Sequence, residues 1–519
     1  MPRRAVLTER QRAALLALPD SEPDLIRHWT LGADDLRAIG TRRRPHNRLG
    51  FALQLCALRY PGRLLRPGEV IPHAPLAFVA DQIGVDPQVL ADYAVREPTR
   101  YEQLDALRDE FGFRPLDPLA KAELQTWLLP VALATTSGVD LARLLLDEFR
   151  GRRVIVPGIT LVERMVAQAL LEAERRVADL LTQPLTAGQR DRLDGLLGSH
   201  AAAKTSVLAW VRQPPGKPGR RAFAAVLDRL SILRAIELDP ALTSAVHPER
   251  LRRLCQEGAR LTAQHLTTLL PTRRHAILVA IVLETQVMLT DDAVLMFERL
   301  FGQMFRRIER REEAALKRDR RTINDKIRLL ARLGDALLAA RDSGADAFAA
   351  IERVVTWDEL GTQVEEAKRL VRPDPLDPVT LAQSSFPILR QIGPAFVQAF
   401  AFGAVPACSG LARGVEVMRL LGQGRLRKMP ADAPIGFIRP TWRRRIGRDA
   451  MDRRTYEFCV LAELRDRLRA GDMWVEGSRR YRAVEQQLIP APVFAAMREA
   501  GPLPVPAAGS AAEWLADRR

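Results

Sequence analysis

The sequence predicts an all-α chain built as several helical modules, and three observations carry that prediction. Leu, Ala, Arg and Glu recur at three- and four-residue spacing along nearly the whole chain, which is the period of amphipathic helices. Alternation at period two is scarce, and only 7 Trp and 5 Tyr occur in 519 residues. Helix breakers concentrate in three stretches, 212–221, 372–378 and 502–510, which read as linkers. At about 150 residues per domain the length suggests three or four domains. With 47% apolar and 27% charged residues the composition is that of a globular protein, which excludes a disordered or collagen-like chain. The net charge of +16 and pI near 10.5 point to a polyanionic partner, of which nucleic acid is the usual one. Only 7 of the 79 cations are Lys, a bias that a GC-rich genome produces and that also suits bidentate phosphate binding.

Taken in order, the first element is a helix opened by a capping box at Thr8–Gln11 and running to Leu18, before Pro19,. A short helix is expected over Asp34–Ile39. Arg42, Arg43, Arg44 and Pro45 then precede a helix from His46 or Asn47 to Tyr60. Three arginines beside a helix N-terminus place positive charge where backbone N–H groups also point outward, which suits a phosphate. Asn47 and Arg48, on the first turn, are in position to reach base edges. The alternative is a basic loop between packed helices. Residues 1–66 carry 13 basic and 6 acidic residues and 67–150 carry 7 and 14, so these two segments read as separate modules.

Within the second segment, Leu76–Tyr93 follows helix-turn-helix spacing. Ala80 permits close approach, Gly84 makes the turn, Asp86 caps and Pro87 opens the next helix, and Leu90 faces back,. Gln88 is the candidate DNA contact there. Asp86 and Asp92 would repel phosphate, so a structural bundle is the competing reading. Arg152 and Arg153 form a further basic cluster ahead of a Pro–Gly turn at 157–158. Helical modules are expected over 151–211 and 222–370, the latter containing a long helix over 291–340 that Asp291 and Asp292 would cap. Val294, Phe297, Phe301, Met304 and Ile308 mark its buried face, and 306–332 is charge-rich, with 11 basic and 5 acidic residues.

A last helical module is expected over 379–500. The longest uncharged run lies between Arg390 and Arg413, but Pro394, Pro406 and its glycines suit a buried helical hairpin better than a membrane span. Residues 425–482 hold 16 basic and 8 acidic residues. Arg439, Trp442, Arg443, Arg444 and Arg445 interleave an aromatic ring with guanidinium groups, as single-strand and phosphate binders do, although a Trp anchoring a loop in the core has the same pattern. The four cysteines contain no C-x-x-C pair, which removes zinc-ribbon and thioredoxin chemistry and suits a reducing cytoplasm. No signal peptide is visible. Gly216–Lys217 lies among prolines and is no phosphate loop, and His265 and His275 lack i, i+4 metal spacing. No catalytic or metal-binding residue stands out.

Several segments resemble one known family. Leu7–Arg12, Trp29–Leu31, Asp35–Leu36, Arg42–Arg44, Asn47–Cys56 and Leu58–Arg63, then Pro434–Pro440 and Leu468–Arg479 with Tyr481 and Pro490, are similar to the N-terminal half of replicative transposases of the Tn-three family. The resemblance implies helical modules that bind the terminal inverted repeats of a mobile element. It also implies an RNase-H-like domain with two Asp and one Glu that holds Mg²⁺ and cuts and joins DNA. That domain follows the Gly471–Arg479 segment in the family and has no counterpart in these residues, so no cofactor is expected here. The expected partner is double-stranded DNA at transposon ends, together with a second copy or a full-length transposase, in a bacterial cytoplasm and at the nucleoid. The alternatives are a standalone DNA-binding regulator of transposition, a transposase remnant, and a helical RNA-binding scaffold.

Overall fold

Side-chain caps set many of the helix starts in this chain, and the breakers set many of the stops. The structure, a computed structural model, describes residues 6–93, 97–201, 204–370, 378–446 and 452–500. The fold is all-α apart from two three-residue strands among the described residues. The linker at 212–219 is non-helical, as expected, whereas those at 372–377 and 502–510 fall outside the described residues. The chain divides into two compact units. One takes the residues up to Trp210 plus Ile236–Leu283, and the other takes Val211–Ala235 plus the residues from Glu284 onward.

The first unit begins with α1 (Glu9–Leu15), α2 (Glu22–Trp29), α3 (Ala33–Gly40), α4 (Pro45–Arg59), α5 (His73–Ile83) and α6 (Glu97–Phe111). The capping box at α1 is formed: Thr8 N–H donates to Gln11 Oε1 at 2.8 Å and Gln11 N–H to Thr8 Oγ1 at 3.3 Å. Next come α7 (Pro118–Ala134), α8 (Gly138–Gly151), α9 (Ile159–Thr182), α10 (Ala187–Gly195) and α11 (Val207–Val211). The unit closes with α13 (Pro248–Arg260), α14 (Ala263–Thr267) and the first turns of α15 (Pro271–Ser343), while α12 (Arg220–Arg234) belongs to the second unit.

Two hydrophobic cores organise the N-terminal part. The first is built around α4, whose residues from Leu49 to Leu58 are all buried, and it gathers Leu25, Trp29, Ile39, Val79, Leu107 and Phe113. The second joins α7, α8 and α9 and takes in Leu7 from just ahead of α1. Arg12 on α1 pairs with Glu163 on α9 at 2.9 Å. Residues on both sides of the charge change near residue 66 therefore share one core, and the first helix packs with the second. The buried Asp35 is paired: Arg59 holds it through two bonds of 2.7 and 2.6 Å. Burial alone would raise the Asp35 carboxyl, but Arg59 and the Gly32 N–H outweigh it and hold it below the ordinary carboxylate range,. Arg250, buried on α13, donates to Ala132 O and Thr135 O, the carbonyls left over at the end of α7.

In the second unit α15 is followed by α16 (Ala347–Glu352), α17 (Trp357–Leu370), α18 (Pro378–Ala399), β1 (Phe402–Ala404), α19 (Ser409–Gly422), α20 (Pro440–Ile446), α21 (Arg453–Ala470), β2 (Met473–Val475) and α22 (Ala491–Ala500). Its centre is aromatic. Phe297 stacks on Phe396 at 4.1 Å, Phe223 and Phe402 lie around Phe396, and Phe301 and Phe305 meet Phe458. The uncharged run is a helix pair, α18 and α19, joined through β1, which pairs antiparallel with β2 with Gly403 opposite Trp474. A Cβ at Gly403 would stand 2.1 Å from the Trp474 ring, so only glycine fits.

Two expectations are corrected. Asp291 and Asp292 do not cap a helix, because α15 runs unbroken from Pro271: no proline interrupts it after Pro271, and the residues upstream of 291 keep the helical period. The second helix of the Leu76–Tyr93 unit is a six-residue 3-10 helix, Pro87–Asp92. Gly84 does make the turn at φ +64° and Asp86 does cap Gln88 N–H at 2.9 Å, but the segment lies against α4, where Tyr93 covers Gly50.

Candidate nucleic-acid interface

The turn between α3 and α4 concentrates five of the residues singled out in the sequence. Arg44 is the residue before the helix, with extended backbone, and Pro45 occupies the first helical position, where a missing N–H costs nothing,. The Arg44 carbonyl accepts from Asn47 N–H and Arg48 N–H, each at 3.0 Å. No side chain caps this terminus. Arg43 and Arg44 are exposed, and His46 and Asn47 are half-buried. A phosphate approaching this turn meets two guanidinium groups on flexible stems and the positive end of a fifteen-residue helix,.

The other two arginines of the turn have structural work. Arg42 pairs with Glu110 at 2.9 Å and lies 4.4 Å over the Phe51 ring, with its buried Nε lacking a hydrogen-bond partner. Arg48 donates from Nε to Arg42 O at 2.9 Å and thereby fixes the turn. Because α4 is buried from Leu49 to Leu58, its exposed and half-exposed side chains are confined to its first turn and to Arg59 at its end. The helix is the strut of the core, and its N-terminus is the exposed tip.

The remaining candidates lie elsewhere. Gln88 is exposed on the 3-10 helix. Arg152 ends α8, bonded to Glu148 at 2.7 Å and Glu123 at 3.4 Å. Arg153, at φ +53°, donates to Phe111 O at 2.9 Å and so closes the end of α6. Its own carbonyl accepts from Arg114 N–H at 3.0 Å, and Val156 N–H reaches Gly62 O at 2.8 Å. The basic cluster around Arg152 thus ties three chain segments together, with Arg150 stacked 4.9 Å over Tyr60.

In the second unit, Trp442 on α20 stacks on Phe458 at 5.7 Å and Arg439 lies 5.2 Å over its ring. Arg439 also pairs with Asp466 and, at 3.6 Å, with Glu463. Trp442 is therefore an anchor of α20 on the core, while Arg443 and Arg444 are exposed; the Arg445 side chain lies outside the described residues. Among the described residues no group of three or more His, Cys, Asp or Glu side chains is arranged to hold a metal ion, and no helix is long and apolar enough to cross a membrane.

Sequence reading missed an acidic ladder on α15. Glu284, Asp291 and Glu298 recur every seven residues and receive the segment after β2. Arg479 forks onto Glu284 at 2.9 and 2.6 Å. Asp291 Oδ1 accepts from Ser478 Oγ at 2.5 Å, Arg479 N–H at 3.1 Å and Arg480 N–H at 3.2 Å. Tyr481 O–H donates to Glu298 at 2.8 Å. The seven-residue spacing of the acids was the available signal.

Comparison with known proteins gives two findings. Residues 6–169 match the family described as a domain of unknown function, DUF4158, a span that covers α1 to α8 and the first half of α9. Over 100% of its length the chain is 39% identical to the transposase for transposon Tn21 of Escherichia coli and 37% identical to the transposase for transposon Tn501 of Pseudomonas aeruginosa, covering 52% of each. It is 26% identical to the transposase for transposon gamma-delta of Escherichia coli over 93% of this chain. The chain thus spans about half the length of the relatives it matches, and its similarity to them is continuous across both units.

Proposed function

We propose that this chain recognises double-stranded DNA at the terminal inverted repeats of a mobile element and serves as the DNA-binding and assembly part of a Tn-three-type transposase. The observation that carries the reading is the full-length similarity to transposases. The α4 turn supports it by leaving Arg43 and Arg44 exposed and Asn47 half-exposed, while Arg42 and Arg48 hold the turn in shape. In this reading Arg43 and Arg44 contact phosphates and set register, and Asn47 reads a base edge. Arg443 and Arg444 supply a second phosphate contact, and Arg152 and Arg153 act as internal ties. We assign no step of strand cleavage, and no Mg²⁺, to the residues of this chain.

The test is binding of the purified chain to a terminal-repeat duplex and to a scrambled duplex of equal length. Tighter binding to the repeat supports the reading, and equal binding at physiological salt refutes it. A repeat-binding chain that also lowers transposition when supplied beside a complete transposase would favour the regulator.

A further inference from the structure

The middle of α15 gathers positive charge on one side. From Arg306 to Thr322 the helix shows no buried residue among those described, a pattern of helices that reach across solvent to a further contact. At about 100° per residue, Arg307, Arg310, Lys317, Arg321, Arg328 and Arg332 fall within one strip about 80° wide, and all six are exposed. They form three pairs, 307 with 310, 317 with 321 and 328 with 332. Neighbours of like sign at this spacing destabilise a helix, so the strip brings the free helix nothing. Lys317 donates to Glu313 at 2.8 Å and Arg328 to Asp325 at 3.3 Å. Arg307, Arg310, Arg321 and Arg332 make no ion pair among the described residues. The segment α17 packs on another side of the helix. Lys326, about 140° around from the strip, pairs with Glu366, and Leu333, about 120° around, lines a groove with Leu360 and Val364.

We propose that this strip is a sequence-independent contact for duplex DNA, lying along about one helical turn and pairing with phosphates of both strands. It rests on the proposed reading of the chain as a binder of duplex DNA and adds a surface that shares no residue with the α4 turn. The centres of the three pairs lie ten or eleven residues apart, about 16 Å at 1.5 Å per residue, and the strip from Arg307 to Arg332 spans about 38 Å. One turn of duplex is about 34–36 Å long. Along one face it presents a backbone three times: one strand, the other, and the first again. The three pairs match these three crossings, and the long Arg and Lys stems absorb the unequal widths of the two grooves. The ligand is double-stranded, because no Phe, Tyr or Trp stands between Phe305 and Phe348 to stack on unpaired bases. Cations along the side of an uninterrupted helix meet phosphates ahead of base edges, so the contact adds affinity without sequence preference.

Binding of the purified chain to a scrambled duplex and to a terminal-repeat duplex, titrated over several salt concentrations, tests it. Arg307→Gln, Arg310→Gln, Arg321→Gln and Arg332→Gln are made together. Gln forms helices about as well as Arg, so the far-ultraviolet circular dichroism spectrum is unchanged. With one phosphate per arginine the log–log salt slope on the scrambled duplex falls by roughly 3.6, a loss of about 300-fold at 200 mM salt. The repeat duplex loses the same factor, so the preference for repeat over scrambled sequence stays within about twofold of wild type. Equal charge removed at four exposed arginines off the strip, Arg320, Arg341, Arg353 and Arg369, lowers the slope by less than about one. A strip variant that keeps the wild-type slope on both duplexes overturns the proposal, and repeat recognition then stands or falls on the preference between the duplexes. An equal loss in the off-strip variant also overturns it. A strip variant that loses slope in a chain without repeat preference supports the proposal and removes repeat recognition instead.

Discussion

Replacing Arg43 and Arg44 together by Ala probes the α4 turn at the level of single phosphates. Both side chains are exposed, so their loss removes no packing, whereas Arg42 is held by Glu110 and Phe51. If each contacts one phosphate, the log–log salt slope of duplex binding falls by roughly 0.9 per contact, or about 1.8 for the pair. The affinity ratio of wild type to double variant is then about 220-fold at 50 mM salt and about 18-fold at 200 mM, closing toward unity near 1 M. Arg42→Ala behaves differently: it leaves the slope unchanged and lowers thermal stability by about 1 kcal/mol, the scale of an exposed ion pair plus a cation–π contact. Fluorescence-anisotropy titrations of a labelled duplex at four or five salt concentrations give all three slopes. A double variant that keeps the wild-type slope and helicity would refute the phosphate assignment, and a slope change in Arg42→Ala alone would show that the wrong arginine was chosen.

Asn47→Ala is expected to flatten discrimination between repeat and mismatched duplex by about 1–3 kcal/mol without altering the salt slope, read in competition binding. Because the folded Asp35 carboxyl sits below its ordinary range, its pairing with Arg59 stabilises the first unit above the unfolded carboxylate range. That contribution is lost as pH falls through the folded value; Asp35→Asn should therefore flatten the acid limb of a thermal-melt series. Arg250→Met leaves the carbonyls at the end of α7 without their buried donor and should cost about 2–4 kcal/mol, measured by chemical unfolding. Asp291→Ala removes the acceptor shared by Ser478, Arg479 and Arg480, so amide exchange at Arg479 and Arg480 should accelerate at least tenfold while exchange in β2 changes little.

Much of the fold was legible because it rests on local chemistry. The capping box at Thr8, the left-handed Gly84 and the Asp86 cap each need only neighbouring residues, and each forms as the sequence predicts. The errors came where tertiary partners decide. Asp291 and Asp292 look like a helix start because two acids after a Thr usually cap, yet they sit mid-helix because the residues from Pro271 onward keep the helical period with no further proline, and Asp291 instead accepts from a segment nearly 190 residues later. The 3-10 helix after Asp86 stops at Tyr93, whose ring is seated on Gly50, a contact invisible to periodicity. Which cations also serve inside the fold was likewise not legible: Arg152 and Arg153 reach Glu123 and the Phe111 carbonyl, on helices 29 and 42 residues away. The α4 turn was found because positive charge, Pro45 and a helix start coincide within four residues. Which of its arginines face outward depended on Glu110 and Phe51.

The central claim is sequence-specific recognition of transposon ends, and competition binding tests it most directly. A labelled terminal-repeat duplex is held by the chain at physiological salt while unlabelled repeat, or a scrambled duplex of equal length and composition, is titrated in. The scrambled duplex is expected to compete at least about 10³-fold less well, the lower end of the ratios that specific DNA-binding proteins reach. Equal competition by the two duplexes would mean that the basic turn at α4 holds DNA by charge alone, and would contradict the account.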